Sequence, residues 1–223
     1  MGTTRTDTAY QAVRTDLLSA RFKPGQWLKI SDLQARFDVS LSVVREALNR
    51  LAAEGLLVVA PQRGFRVIDL SLEDLRDLTS ARIKIETLVL RDSIRQGDTL
   101  WEANLVAAHH FLDRTPLLTA AGRFNRDWLP AHAAFHNALL DGCSNGRMRA
   151  IAGTLRDAAE MYRMWSTRYD SSSRDVGAEH RRLMELALAR DTERCVELLV
   201  EHIEVTQTML TQSAIASDSA EIA

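Results

Sequence analysis

Hydrophobic positions repeat with a helical period up to about residue 55, with a strand-like pattern to about residue 70, and with a helical period again to the end of the chain. Between about Asp7 and Arg21, Ala9, Val13, Leu17 and Leu18 share one face and predict a first helix. Lys23-Pro24-Gly25 ends it, because proline and glycine mark a turn. A short second helix follows Ser31 and carries Leu33, Ala35 and Phe37. Asp38-Val39 turns the chain into Ser40, a good N-cap, and a third helix runs through Val44, Leu48, Leu51 and Ala52 to a C-cap glycine, Gly55. Two β-rich runs, 56–60 and 65–68, flank Pro61-Gln62-Arg63-Gly64 and predict a hairpin. Three helices with a tight second turn, followed by a hairpin, describe a winged helix-turn-helix.

From Ser71 onward the pattern is helical throughout. Ser71-Leu72-Glu73-Asp74 is a capped helix start. Helices are predicted over 72–96, 99–113, 118–142, 146–169, 174–189 and 192–213, with polar, Gly- or Pro-bearing breaks between them. Pro116 and Pro130 fall at or near helix starts, where a missing N–H costs little. The small polar residues after about Ser213 are expected to fray. The expected fold is mainly α: an N-terminal winged helix-turn-helix over residues 1–70, a C-terminal all-α helical bundle over 71–215, and a frayed tail over 216–223.

Composition narrows the function classes. The 223 residues are 46% hydrophobic and 26% charged, which excludes a disordered or collagen-like chain and fits one large or two small domains. No apolar run reaches the ~18–20 residues that span a bilayer, and the first ten residues lack the apolar core of a secretory signal, so no membrane partner is expected. Cys143 and Cys195 form no CxxC pair, which argues against a disulfide framework or thiolate zinc site and for a reducing cytoplasm. The net charge of −2 divides unequally, +3 over residues 1–70 and −5 over the remainder. A basic head on an acidic body suits a small nucleic-acid module joined to something else.

In a helix-turn-helix the N-terminal residues of the third helix face base edges. Here these are Ser40, Leu41, Ser42 and Val43, with Arg45 one turn on, able to reach a guanine edge or a phosphate. Arg63 and Gly64, at the hairpin tip, can enter a minor groove or brace the backbone. The stretch Pro24-Gly25, Val39-Ser40, Val44-Arg45-Glu46-Ala47-Leu48, Leu51, Glu54-Gly55-Leu56, Pro61-Gln62-Arg63-Gly64-Phe65 and Val67 resembles the DNA-binding domain of GntR-type bacterial transcription regulators. The usual string there is Ser-Arg-Thr-Pro-Val-Arg-Glu-Ala-Leu; this chain departs from it at Leu41 and Val43. Leu41 stands where the family often has a DNA-contacting arginine, so one contact is lost. The all-helical body looks like the FadR-type branch, whose ligand-binding (FCD) domain is a helical bundle.

Six histidines occur: His109, His110, His132, His136, His180 and His202. His132 and His136 are spaced i, i+4 and share one helical face, while His180 and His202 lie on two later helices. Neutral imidazoles from three helices can bind a divalent metal, or each can be a separate structural histidine. His109 and His110 are sequence neighbours, point about 100° apart and cannot both face one site. The resemblance implies more. Ligand domains of this branch commonly carry Asp-x-x-x-His on one helix and single histidines on two later ones. Phe135-His136-Asn137-Ala138-Leu139, Glu179-His180-Arg181 and Glu201-His202 resemble those elements. His132 stands in the usual place of the aspartate, giving four imidazoles, a set that favours zinc, nickel or copper over manganese. Arg82 and Glu86 resemble an Arg-x-x-x-Glu feature of this branch. Arg82 either pairs with Glu86 one turn along or faces the pocket and binds an effector carboxylate.

The expected function is a ligand-responsive transcription regulator, by family habit a repressor. A homodimer would grip an inverted-repeat double-stranded DNA operator, with an organic acid as effector beside a divalent metal, zinc or nickel being favoured. The joint at Ile68-Asp69-Leu70-Ser71 is the candidate hinge between head and body. The rivals are a constitutive DNA-binding protein with structural histidines and a metalloenzyme fused to a DNA-binding head. The enzyme reading lacks its base, because a zincin helix needs glutamate directly after its first histidine and Ala133 occupies that place.

Overall fold

A computed structural model describes residues 4–121, 125, 127–165 and 175–221, with residues 165 and 213–221 as backbone. The head begins with α1 (Arg5–Leu18), closed by a capping box in which the Thr4 hydroxyl accepts from Asp7 N and the Asp7 carboxylate accepts from Thr4 N. A short strand β1 (Trp27–Leu28) precedes α2 (Ile30–Phe37) and α3 (Leu41–Ala53). The turn between α2 and α3 passes through Asp38 in the left-handed region, φ 50°, a conformation an Asx side chain tolerates. Gly55, at φ +77°, follows α3 and turns the chain into the hairpin of β2 (Leu57–Ala60) and β3 (Gly64–Val67).

The sheet order is β1-β3-β2, all antiparallel, with Trp27 opposite Arg66 and Val58 also opposite Arg66 on the other side. Two residues are too few to display an alternation, which is why β1 left no period in the sequence. The head has its own core, built from Val13 and Leu17 of α1, Val44, Leu48 and Leu51 of α3, and Leu56, Phe65 and Val67 of the wing.

The body holds α4 (Leu72–Gln96), α5 (Thr99–Asp113), α6 (Trp128–Leu140), α7 (Gly146–Trp165), α8 (Val176–Leu188) and α9 (Thr192–Glu221). Ser71 caps α4 by accepting from Asp74 N at 3.1 Å. The long α4 packs on α7 and α9, α5 on α6 and α8, and α8 on α9. Val89, Leu90, Leu105, Phe135, Leu139, Leu183 and Leu199 form the centre of the core they enclose. Cys143 and Cys195 are free and buried in it.

Two boundaries differ most from expectation. The helix expected from residue 118 starts at Trp128; Leu118–Ala121 is not helical, and Asn125 folds the loop back by donating from its backbone N to Leu117 O. Pro130 sits in the first turn of α6 and fits only near a helix start. Residues 122–124 and 126, and the expected helical residues 166–169 and 174, lie outside the described residues. At the other end α9 stays helical to Glu221 instead of fraying near Ser213, since Ala214, Ala216 and Ala220 are strong helix formers. No helix among the described residues is long and apolar enough to cross a membrane.

Head and body meet along α7. Met161 is fully buried in the head's core, Arg14 of α1 forms an ion pair with Asp157, and Tyr162 Oη accepts from Ser71 N at the joint while donating to Asp74. The candidate hinge is therefore pinned by the body.

Candidate metal centre and nucleic-acid interface

The i, i+4 spacing of His132 and His136 on α6 brings their Nε2 atoms to 3.1 Å. His180 enters from the first half of α8 and His202 from α9. One ring nitrogen from each of the four lies within 4.8 Å of every other, and all four residues are buried. Phe135 packs against His136 and His180, and Trp128 stacks on His132 at 4.2 Å between ring centroids. His109 is buried against Phe135, outside the cluster, and His110 faces solvent, in keeping with their divergent directions.

Burial, then the neighbouring imidazoles, hold His132 and His136 well below the ordinary histidine pKa. Both rings are neutral at pH 7 and keep a lone pair for a metal. Nitrogens bound to one tetrahedral zinc ion sit about 3.4 Å apart, given Zn–N bonds of about 2.0–2.1 Å. Small ring movements would bring the observed cluster to that spacing, so the donor set fits a divalent ion of borderline softness.

Two carboxylates lie outside the imidazoles. Glu179 Oε2 is 2.7 Å from His202 Nδ1, and Glu160 Oε2 is 3.6 Å from His132 Nδ1. The Glu179 carboxylate fixes the His202 tautomer and aims its other ring nitrogen inward, whereas Glu160 stands just beyond hydrogen-bond distance of His132. Burial raises the Glu160 pKa, with Arg163 and Arg82 acting in the opposite direction. Glu179 was legible as a neighbour of His180, though its contact is with His202 on another helix; Glu160 carried no sequence signal.

A cavity of about 550 Å³ opens beside His132 and His136. That volume suits a small organic ligand. Arg82 pairs with Glu86 and also borders this cavity. Its Nε donates to Glu86 at 2.7 Å in a buried pair. Arg156, another of the arginines on the wall, carried no sequence signal. Its guanidinium donates to His136 O at 2.9 Å and to Asn137 Oδ1.

On the head, Ser40 caps α3 by accepting from Val43 N, and its hydroxyl lies 2.9 Å from that of Ser42. Leu41, Ser42 and Arg45 are exposed on the outer face of α3, whereas Val44, Ala47 and Leu48 turn inward. Arg45 makes no ion pair among the described residues. By contrast Arg50, on the same helix, is held by Asp7 at 2.8 Å and lies over the Tyr10 ring. At the wing tip Gly64 adopts φ +95°, which a side chain would strain, and Arg63 stands exposed over the ring of Trp27. Trp27, itself exposed at the sheet surface, is a nearby aromatic that the sequence reading missed because β1 was missed.

Comparison with known proteins identifies both domains. Residues 5–67 match the bacterial regulatory proteins of the gntR family, and residues 77–205 match the FCD domain. An HTH-type transcriptional regulator of Paraburkholderia xenovorans (strain LB400), BphR, is 38% identical over 92% of this chain and 85% of its own length. The HTH-type transcriptional repressor GlaR of Escherichia coli (strain K12) is 32% identical over 94% of this chain and 96% of its own. Among solved structures, McbR/YncC of E. coli superposes with a TM-score of 0.81 at 19% identity, covering 96% of this chain and all of that one, a likeness of fold. Both matched families are regulatory and non-enzymatic. The chain belongs to the GntR family of bacterial transcription regulators, joining a winged helix-turn-helix to an FCD domain, and is a DNA-binding regulator rather than an enzyme.

Proposed function

We propose that the protein is a metal-dependent, ligand-responsive repressor that grips an inverted-repeat operator as a homodimer in the cytoplasm and responds to a small organic acid. The observation that carries this reading is the buried cluster of four imidazoles, gathered from three helices at the edge of a cavity large enough for such a ligand. In this reading residues 1–70 are the reader, 71–215 the sensor and 216–223 a tail. Repression is supported by likeness to GlaR, which is named a repressor.

Ser40, Leu41, Ser42 and Arg45 approach the major groove, and Arg63 and Gly64 brace the wing against the adjoining backbone. His132, His136, His180 and His202 would hold the ion; four neutral imidazoles favour zinc or nickel over manganese. When bound, that ion would act as a Lewis acid toward an effector carboxylate by taking it as an added ligand or in place of one imidazole. Arg82 lies on the cavity wall as a cation for the same ligand, its guanidinium fixed by Glu86. A ligand of this kind changes DNA binding only if it favours one placement of the heads over another.

The test is metal analysis of purified wild type, His136→Ala and His180→Ala, with gel shifts on the adjoining upstream DNA for wild type and Arg45→Ala. The reading expects near-stoichiometric metal in the wild type, its loss in both histidine variants, and weakened operator binding for Arg45→Ala. Equal metal in all three proteins, or an Arg45→Ala variant that binds like wild type, would overturn the corresponding half.

A further inference from the structure

The cavity beside the histidines is shared between the two domains. Its body wall comes from α4, α6 and α7, but Arg14, Thr15, Asp16 and Leu18 of α1 and Arg36 of α2 also line it. A ligand filling it therefore touches the DNA-binding head. The charges on the wall are unevenly satisfied. Arg14 pairs with Asp157, Arg36 with Asp16, Arg82 with Glu86, and Arg163 lies 3.4 Å from Glu160. Arg156 alone among the described lining arginines is held by neutral acceptors only, the His136 carbonyl and the Asn137 amide oxygen. These two bonds orient its fork beside the metal-ligand candidates without a carboxylate in salt-bridge contact, although Glu86 and Asp157 act on it from farther away.

Helix α7 carries the next link. Arg156, Glu160 and Arg163 recur along one face, toward the cavity, while Met161 turns into the head's core and Asp157 borders the cavity and reaches Arg14 of the head. Resting on the sensor reading above, we propose that Arg156 binds a compact oxyanion of the effector and that Asp157, the next residue, passes occupancy to the head through Arg14. The ligand completes contacts with both walls only when the head is docked. It therefore binds that state better, which is the differential affinity a switch requires. Carboxylate and phosphate share the chemistry a guanidinium fork accepts.

The experiment uses the full zinc-loaded chain titrated calorimetrically with acetate, succinate and inorganic phosphate, and hydrogen exchange of the α1 amides with and without the oxyanion that binds best. Wild type is expected to bind a carboxylate or phosphate and to slow α1 exchange on binding. Arg156→Gln is expected to bind it about tenfold or more weakly with unchanged zinc content and melting temperature. Asp157 also borders the cavity, so Asp157→Asn, which removes a carboxylate beside Arg156, is expected to bind the oxyanion at least as tightly as wild type but to lose the response in α1, and the exchange Arg14→Asp with Asp157→Arg to restore that response. Undiminished binding by Arg156→Gln, or an intact α1 response in Asp157→Asn, would overturn this inference and leave the sensor reading standing. A wild type that takes up neither zinc nor any of the three oxyanions would overturn the sensor reading itself.

Discussion

Glu179 illustrates how much of a metal centre lies outside its ligands. Its carboxylate, 2.7 Å from His202 Nδ1, leaves Nε2 as the nitrogen available to an ion. Glu179→Ala should weaken zinc binding by about 10–100-fold, measured by competition with a chromophoric chelator, because loss of such a partner frees the ring. Wild-type affinity would mean that packing alone aims His202. On the head, exposed Arg45 should act in one of two distinguishable ways. If it reads a base, Arg45→Ala costs about 1–3 kcal/mol and relaxes sequence preference. If it holds a phosphate, binding weakens across all sequences and the salt dependence falls by about one unit of slope. The four histidines and Arg82 were visible from spacing and resemblance, since both are properties of sequence neighbours or of motifs. Glu160 and Arg156 were not, because their roles exist only where α7 folds against α6.

At the scale of elements, legibility followed the range of the interactions. Ser40 and Ser71 cap their helices through contacts three residues away, and α3 and α4 begin where those signals lie. The start of α6 was missed by ten residues although local signals mark it, Asp127 at the N-cap position and Pro130 in the first turn, because the apolar residues upstream at 117–121 extend the helical period past them. Helix α3 depends on its inner face. Leu48 is fully buried, and Leu48→Ala should destabilise the head by about 2–5 kcal/mol, read as an earlier denaturation midpoint with loss of operator binding. Tyr162→Phe tests the joint. It removes two hydrogen bonds, to Ser71 N and Asp74, each worth about 1 kcal/mol, and should make the peptide around residues 68–74 more open to proteolysis. Equal cleavage in both proteins would show that Tyr162 does not secure the joint.

For the whole molecule, two cores joined along one helix give a reader and a sensor that share a wall. Ligand-linked stability should reveal the sensor. Zinc at about 100 times its dissociation constant adds about 2.7 kcal/mol to the folded state, so wild type should melt at a higher temperature with zinc and His136→Ala should not. The shared wall was the least legible feature of all, since the sequence shows two domains but not how they dock. The most direct test of the account is operator affinity of wild type with and without the oxyanion that binds best, measured once zinc-loaded and once after chelation. The account predicts that the oxyanion changes DNA affinity in the zinc-loaded protein and leaves it unchanged after the metal is removed. Operator affinity indifferent to the oxyanion in both states would contradict it.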